Sequence, residues 1–203
     1  MNVAIIGAAG RAGSRIQAEL LRRGHSVTAI VRDPSKVAAA PGLTVKAGDA
    51  NDGETLAPLL AGHDAVVSAV MFLMSDAETL IGAAKRAGVP RYLVVGGAGS
   101  LEVAPGVRVL DLPEFPEIYK AEATRGAGFL DRLKAEPTLN WTFLSPSAEF
   151  VLGERTGKFR LGTDGLLADE TGRSWISYED FAVALVDEIE TPKHERKRFT
   201  VGY

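Results

Sequence analysis

An apolar run from Val3 to Ile6 passes directly into three glycines spaced three residues apart, Gly7, Gly10 and Gly13. An amphipathic stretch then ends at Gly24, and a second β-branched run spans Ser26 to Val31. This order of strand, glycine turn, helix and strand constrains the fold more than any other feature, because strands joined through a helix lie parallel in one sheet. Leu43 to Lys46, Ala65 to Ala69, Tyr92 to Val95 and Thr142 to Leu144 are further short apolar runs without polar alternation, the pattern of strands buried on both faces. Between them, Arg15 to Arg23, Glu54 to Leu60 and Ala77 to Ala87 show helical spacing, with Gly24, Gly62 and Gly88 as stops. The alternation predicts an α/β fold with a doubly wound, mainly parallel sheet, whose ligands sit at the carboxyl ends of the strands.

The regularity changes after Val95. The stretch "GGAGSLEVAPGVRVLDLPEFP" is rich in glycine and proline, so a long surface loop over the strand ends is expected. A helix from about Glu117 to Ala135 follows. Turn signals around Thr163 to Gly165 and Glu170 to Gly172 suggest short hairpin strands, a small C-terminal elaboration on the substrate side. Ser177, with Asp180 three residues on, should cap a last helix before the strand-like "RFTVGY".

The chain has 203 residues, 46% hydrophobic and 24% charged, which suits a single domain over residues 1–203 with one filled core. A formal charge of −3 provides no general attraction to nucleic acid or to anionic membranes. The absence of cysteine excludes disulfides, thiolate nucleophiles and cysteine-ligated metals. His25, His63 and His194 are not spaced as metal ligands, so no metal is expected. The apolar stretch Ala65 to Met74 is too short to span a bilayer, and no basic leader precedes the first strand. A cytoplasmic protein without a membrane or nucleic-acid partner is the expectation, as monomer or homodimer.

The glycine loop carries the first functional signal. Gly7 would end the strand, Gly10 would let backbone approach a ligand, and Gly13 would let the following helix pack closely. Ala9, Arg11 and Ala12 fill the loop between them. The first helical turn then offers unpaired N–H groups to an anion, and a dinucleotide pyrophosphate fits. The second strand ends at Arg32, where a reader of the ribose 2′-hydroxyl would place a carboxylate and a 2′-phosphate calls for a cation. Lys36 and Arg11 could extend a positive pocket, which favours NADPH, while Asp33 keeps NADH open. In "GDAND", Asp49, followed by Ala50, stands where a carboxylate could accept the adenine amino group or simply cap a turn.

The elements "GAAGRAG", "VRDPSK", "GD" at 48–49, "VVGGAGSL", "NWTFLSPSAEF", "GERTGKFRLG" and "SWISYEDFA" span essentially the whole chain. In these the sequence resembles an atypical short-chain dehydrogenase/reductase of the NmrA-like group, and most closely the NADH-flavin reductase-like proteins related to biliverdin-IXβ/flavin reductase. The resemblance implies an NAD(P)-binding Rossmann-type fold. It also implies that the nicotinamide lies near Ala69 and Val70, near Gly96 and Gly97 of the "GGAGS" loop, and near Ser145, Pro146 and Ser147.

Standard short-chain dehydrogenases use Tyr-x-x-x-Lys, two residues on one helix face that share a proton and hold the ribose. No such pair exists here: the residues four beyond Tyr92, Tyr119 and Tyr178 are Gly96, Ala123 and Ala182. Reduction of an ordinary ketone is therefore disfavoured, whereas a flavin such as FMN or riboflavin, or a quinone, is already a good hydride acceptor. Ser100 and Tyr119 are the candidate catalytic hydrogen-bond donors, Ser100 by its resemblance to a loop serine of the biliverdin-IXβ reductases. Phe72 and Phe150 could offer apolar surfaces to the acceptor, with "EFVLGERTGKF" walling the substrate side, although both phenylalanines read more strongly as core. Trp141 and Trp175 read as core. The expected function is an NAD(P)H-dependent reductase of a small conjugated acceptor. A redox sensor that binds NADP(H) with little catalysis is the alternative, and a nucleotide-dependent epimerase a weaker one.

Overall fold

The computed structural model describes residues 1–203. The elements run β1 (Asn2–Ile6), α1 (Arg11–Arg22), β2 (Ser26–Val31), β3 (Leu43–Ala47), α2 (Gly53–Leu60), β4 (Ala65–Ser68), α3 (Ala77–Arg86) and β5 (Tyr92–Val95). They continue with β6 (Glu102–Ala104), β7 (Val107–Arg108), α4 (Glu117–Lys134), β8 (Trp141–Pro146), β9 (Glu149–Val151), β10 (Arg160–Gly162), β11 (Trp175–Ser177), α5 (Tyr178–Glu190) and β12 (Lys197–Gly202). Short 3-10 turns occupy Pro34–Lys36, Phe72–Met74 and Val109–Asp111.

Eight strands form one sheet in the order β10-β12-β8-β5-β4-β1-β2-β3, and only β10 pairs antiparallel. From β1 the chain winds outward through β2 and β3, then returns to β4 on the opposite side of β1. That reversal opens a crevice at the carboxyl ends of β1 and β4, where open α/β sheets hold their ligands.

Side-chain alternation in the strands builds a core on each face. Ala4 and Ile6 of β1 point into a cluster with Leu56 of α2, Leu80 and Ile81 of α3, and Phe129, Leu130 and Leu133 of α4. Val3 and Ile5 point the other way, against Ile16 and Leu20 of α1 and Phe181, Leu185 and Ile189 of α5. Each of these fully buried side chains contributes about 1.5–3 kcal/mol relative to exposure. The two layers together make the doubly wound Rossmann-type α/β fold.

Two expectations need correction. The turns near Thr163 to Gly165 and Glu170 to Gly172 do not close local hairpins: β10 pairs with β12, and β11 pairs in parallel with β9. Turn residues mark where the chain reverses, and the partner is chosen by whichever strand edge is open in the fold. The stretch 96–116 is likewise not only surface loop. It carries the antiparallel pair β6–β7, turned at Gly106 with φ +77°, and buries Leu101, Val109 and Leu110.

Ser177 caps α5 as expected, its Oγ accepting the Asp180 N–H at 2.9 Å. The Asp180 carboxylate does not complete the reciprocal cap; it accepts the N–H groups of Thr156 and Gly157, both at 2.8 Å, and the Tyr203 hydroxyl at 2.7 Å. With Glu19 on Arg155 at 2.8 Å and Glu179 on the Gly153 N–H at 3.0 Å, it straps residues 153–157 onto α1 and α5. This segment therefore does not wall the substrate side, which receives only the Glu149–Phe150 end of the expected stretch. Trp141 is core, whereas Trp175 is half-buried against Tyr203.

Candidate active site

The crevice at β1 and β4 is a cavity of about 350 Å³. Gly7 leaves β1 with φ +84°, and a Cβ there would lie 2.7 Å from the Ala69 carbonyl oxygen, so only glycine fits. Gly10 donates to the Gly7 carbonyl at 3.0 Å. A Cβ on Gly13 would overlap that same carbonyl, so this glycine lets α1 begin immediately behind the loop. α1 starts at Arg11, four residues earlier than its periodicity indicated, and its N-terminus faces the loop with no side-chain cap and no acidic residue in the first turn. By contrast, α2, α3 and α5 are capped by Asp52, Asp76 and Ser177. An uncapped N-terminus keeps its N–H groups and its partial positive charge available to an anion.

Of the expected loop residues, Gly7, Ala9 and Gly10 line this cavity. Arg11 is exposed beside it, Ala12 packs toward the α1–α5 core, and Gly13 is buried support. At the far end stand Arg32 and Lys36, both exposed and without a carboxylate partner, together with Asp33, Asp49 and Ala50. Asp33 is turned back into its own loop. Its carboxylate accepts the Ser35 hydroxyl at 2.6 Å and N–H at 3.1 Å, and these hydrogen bonds hold it below the usual carboxylate range. Asp49 accepts the Asn51 N–H at 2.9 Å, a turn-stabilising role that leaves its second oxygen unused. Ala69 and Val70, just past β4, close the inner end. An uncapped helix behind a glycine cradle, with two unpaired cations one strand away, fits the pyrophosphate and ribose phosphate of a dinucleotide.

A second cavity, of about 480 Å³, begins beside Val70 and Met71 and lies over the ends of β5 and β8. Five separate segments wall it. Gly96 and Gly97 form the floor, and a Cβ at Gly96 would come within 2.7 Å of the Leu144 carbonyl oxygen. One face of α4 contributes Tyr119, Glu122, Ala123 and Gly126. Phe72 presses onto Gly126 and stacks on Phe143 at 6.1 Å, so it is at once core and cavity wall. Phe150 forms the opposite wall and packs on Tyr178 at 4.2 Å and Phe181 at 4.7 Å.

Both expected hydrogen-bond donors reach this cavity. Tyr119 is 62% exposed on the first turn of α4, and Ser100 lies within the wall, its Oγ 3.4 Å from an Arg198 nitrogen. Ser145 and Pro146, the last residues of β8, and Ser147 just after it separate. Pro146 and Ser147 line the cavity, although the Ser147 hydroxyl is spent on the Val201 carbonyl at 3.1 Å. Ser145 is fully buried, lines neither cavity and has no partner for its hydroxyl. Tyr92 is also fully buried, and desolvation pushes its phenol upward, which removes it as a proton donor.

Glu122 escaped the sequence reading. Its carboxylate accepts the N–H groups of Phe72 at 2.7 Å and Leu73 at 2.8 Å, which caps the Phe72–Met74 turn and ties the partition between the cavities to α4. The only trace of it in sequence is helical: Tyr119, Glu122 and Gly126 fall on one face. The histidines serve structure. His25 contacts Glu190 at 2.8 Å, His63 bridges the Leu60 carbonyl and Thr28, and His194 stacks on Phe199 at 4.0 Å. No three His, Asp or Glu side chains gather to hold a metal, and no helix is long and apolar enough to cross a membrane.

Residues 7–192 match the family model for NAD(P)H-binding proteins. The uncharacterized Bacillus subtilis protein YwnB is 41% identical, over 99% of this chain and 98% of its own length. Among solved structures, a candidate epimerase from Bacteroides thetaiotaomicron is 42% identical, covers 100% of this chain and 96% of its own, and superposes with a TM-score of 0.94. A candidate NADH-flavin reductase from Streptococcus pneumoniae is 38% identical, covers 100% and 99%, and superposes with a TM-score of 0.88. The chain thus belongs to the NAD(P)H-binding family.

Proposed function

We propose that the protein is an NADPH-dependent reductase that transfers hydride to a small conjugated acceptor, of which a flavin or quinone ring is the type. The observation that carries this reading is the pairing of a cationic, glycine-cradled cavity with an adjoining aromatic-walled one that contains no Tyr-x-x-x-Lys pair. A bound nicotinamide dinucleotide supplies the hydride. Gly7, Ala9, Gly10 and the α1 N-terminus would hold its pyrophosphate, with Arg32 and Lys36 on the 2′-phosphate and Asp49 and Ala50 beside the adenine. Ala69, Val70, Gly96 and Gly97 would flank the nicotinamide. Phe72, Phe150 and the α4 face position and desolvate the acceptor ring. Tyr119 and Ser100 can hydrogen-bond its heteroatoms, and with Tyr119 this exposed, water can deliver the later proton.

An epimerase reading draws on the Bacteroides relative. Epimerisation through a ketone intermediate needs a positioned acid and base, and the tyrosine available here, Tyr119, has Ala123 where the lysine would stand. The reductase reading is tested by titrating NADPH and NADH and then following NADPH oxidation with FMN, riboflavin and quinones. Turnover with at least one is expected. Tight cofactor binding with no turnover on any acceptor would replace the reductase by a nucleotide-reading sensor.

A further inference from the structure

The two cavities differ in charge. Arg32 and Lys36 line the dinucleotide cavity, whereas no lysine, arginine or histidine lines the other, whose two ionisable carboxylates are Glu122 and Glu149. Three arginines beside lining residues of the second cavity are already engaged. Arg173 pairs with Glu149 at 2.6 Å and lies over the Trp175 ring at 4.5 Å. Arg198 pairs with Asp164, and Arg108 with Asp111 at 2.7 Å. Outside the wall formed by Phe115 and Pro116 the chain adds Glu114 and Glu117, and Glu117 holds Lys120 at 3.8 Å. A phosphate carried into this cavity would meet Glu122, which has no cationic partner, and Glu149, whose charge Arg173 partly offsets, and no lining cation.

On the reductase reading, we propose that the acceptor is an uncharged planar ring, and that Glu122 and Glu149 discriminate against a phosphate attached to it. Riboflavin, or a neutral quinone, is then preferred to FMN. The selection acts by repulsion, a like charge placed where the wrong ligand would put its own, while apolar walls accept the ring itself. The dinucleotide's phosphates, bound next door, add to the same negative field.

The test is an equilibrium titration of flavin fluorescence on the NADP⁺-loaded protein with riboflavin and FMN at low and high salt, followed by the same flavins in turnover with NADPH. FMN is expected to bind at least about tenfold more weakly than riboflavin at low ionic strength, with the gap narrowing as salt screens the carboxylates. Glu149→Gln, and separately Glu122→Gln, should narrow the gap at low salt. FMN binding as tightly as riboflavin, a gap indifferent to salt, or no binding of either flavin overturns the proposal. Riboflavin bound preferentially but never reduced supports the charge selection and overturns the reductase reading alone.

Discussion

The two cavities lie on either side of one stretch, Ala69, Val70 and Met71 lining the first and Phe72 the second, yet they are assembled differently. The first cavity is drawn from short stretches at the ends of β1, β2, β3 and β4, with close-packed glycines at its turn and an uncapped helix behind them. The second cavity is drawn from residues as far apart as Phe72 and Phe150, both of which also pack against the core. On the proposed reading, the pyrophosphate meets a local glycine turn, whereas the acceptor meets a surface assembled from distant segments that a few substitutions can remodel.

The largest expected effect strikes the glycine turn. In Gly13→Val the new side chain would overlap the Gly7 carbonyl, which cannot yield without moving the loop. NADPH affinity should fall by about a hundredfold or more, about 2.7 kcal/mol, in a fluorescence titration. Riboflavin binding should survive in any fraction that folds. Unchanged NADPH affinity would mean that the loop does not depend on the close approach of α1.

Arg32→Ala comes next. Removing a charge-assisted contact to the 2′-phosphate should weaken NADPH roughly tenfold, about 1.4 kcal/mol, and leave NADH nearly untouched. An equal loss for both cofactors would take Arg32 out of that role. Lys36→Ala should act in the same direction, less strongly.

Glu122→Ala probes the boundary. It leaves the Phe72 and Leu73 N–H groups without their carboxylate and frees the partition from α4. The acceptor KM should rise about fivefold, since hydrogen bonds to a charged group contribute roughly 1.5–3 kcal/mol and water will replace part of each. NADPH binding should change by less than about twofold. A change confined to NADPH would place the clamp on the other side of the boundary.

The smallest effect concerns the end of α4, the helix that supplies one acceptor wall. Burial pushes the Glu136 carboxyl up, but the Thr138 N–H, the Lys85 ammonium, the Thr138 hydroxyl and the Leu139 N–H outweigh it and lower it from 4.5 to about 2. A carboxylate whose folded pKa is depressed stabilises the fold fully above its unfolded value, and that contribution is lost as pH falls through the folded one. Thermal stability should therefore decline as pH drops from 4.5 toward 2, and Glu136→Gln should flatten that part of the curve. A loss of about 1 kcal/mol would appear as roughly 2–4 °C in Tm. Parallel curves for the two proteins would remove Glu136 from the acid response.

The contrast between the cavities also explains what the sequence made legible. Gly7, Gly10, Arg32 and Asp49 could be located because strand, turn and helix are local, and each strand end is marked by the residue that follows it. Asp33 kept NADH open in the sequence, and that its carboxylate turns back onto Ser35 depends on a turn the motif does not mark. Ser145 was placed beside the nicotinamide by resemblance, but strand alternation turns its side chain into the interior. Glu122 could not be read in advance, because its role depends on a turn fifty residues away in the chain. The pairing of β10 with β12 and of β11 with β9 was hidden for the same reason.

The central claim is that the two cavities form one reaction site, with hydride passing directly between their occupants. A single-turnover reaction with NADPH carrying deuterium at the transferring carbon, mixed with riboflavin, tests it most directly. The account predicts a primary isotope effect on NADPH oxidation and a rate that saturates in riboflavin. Identical rates for the two isotopologues, or a bound NADPH that is never oxidised, would contradict it.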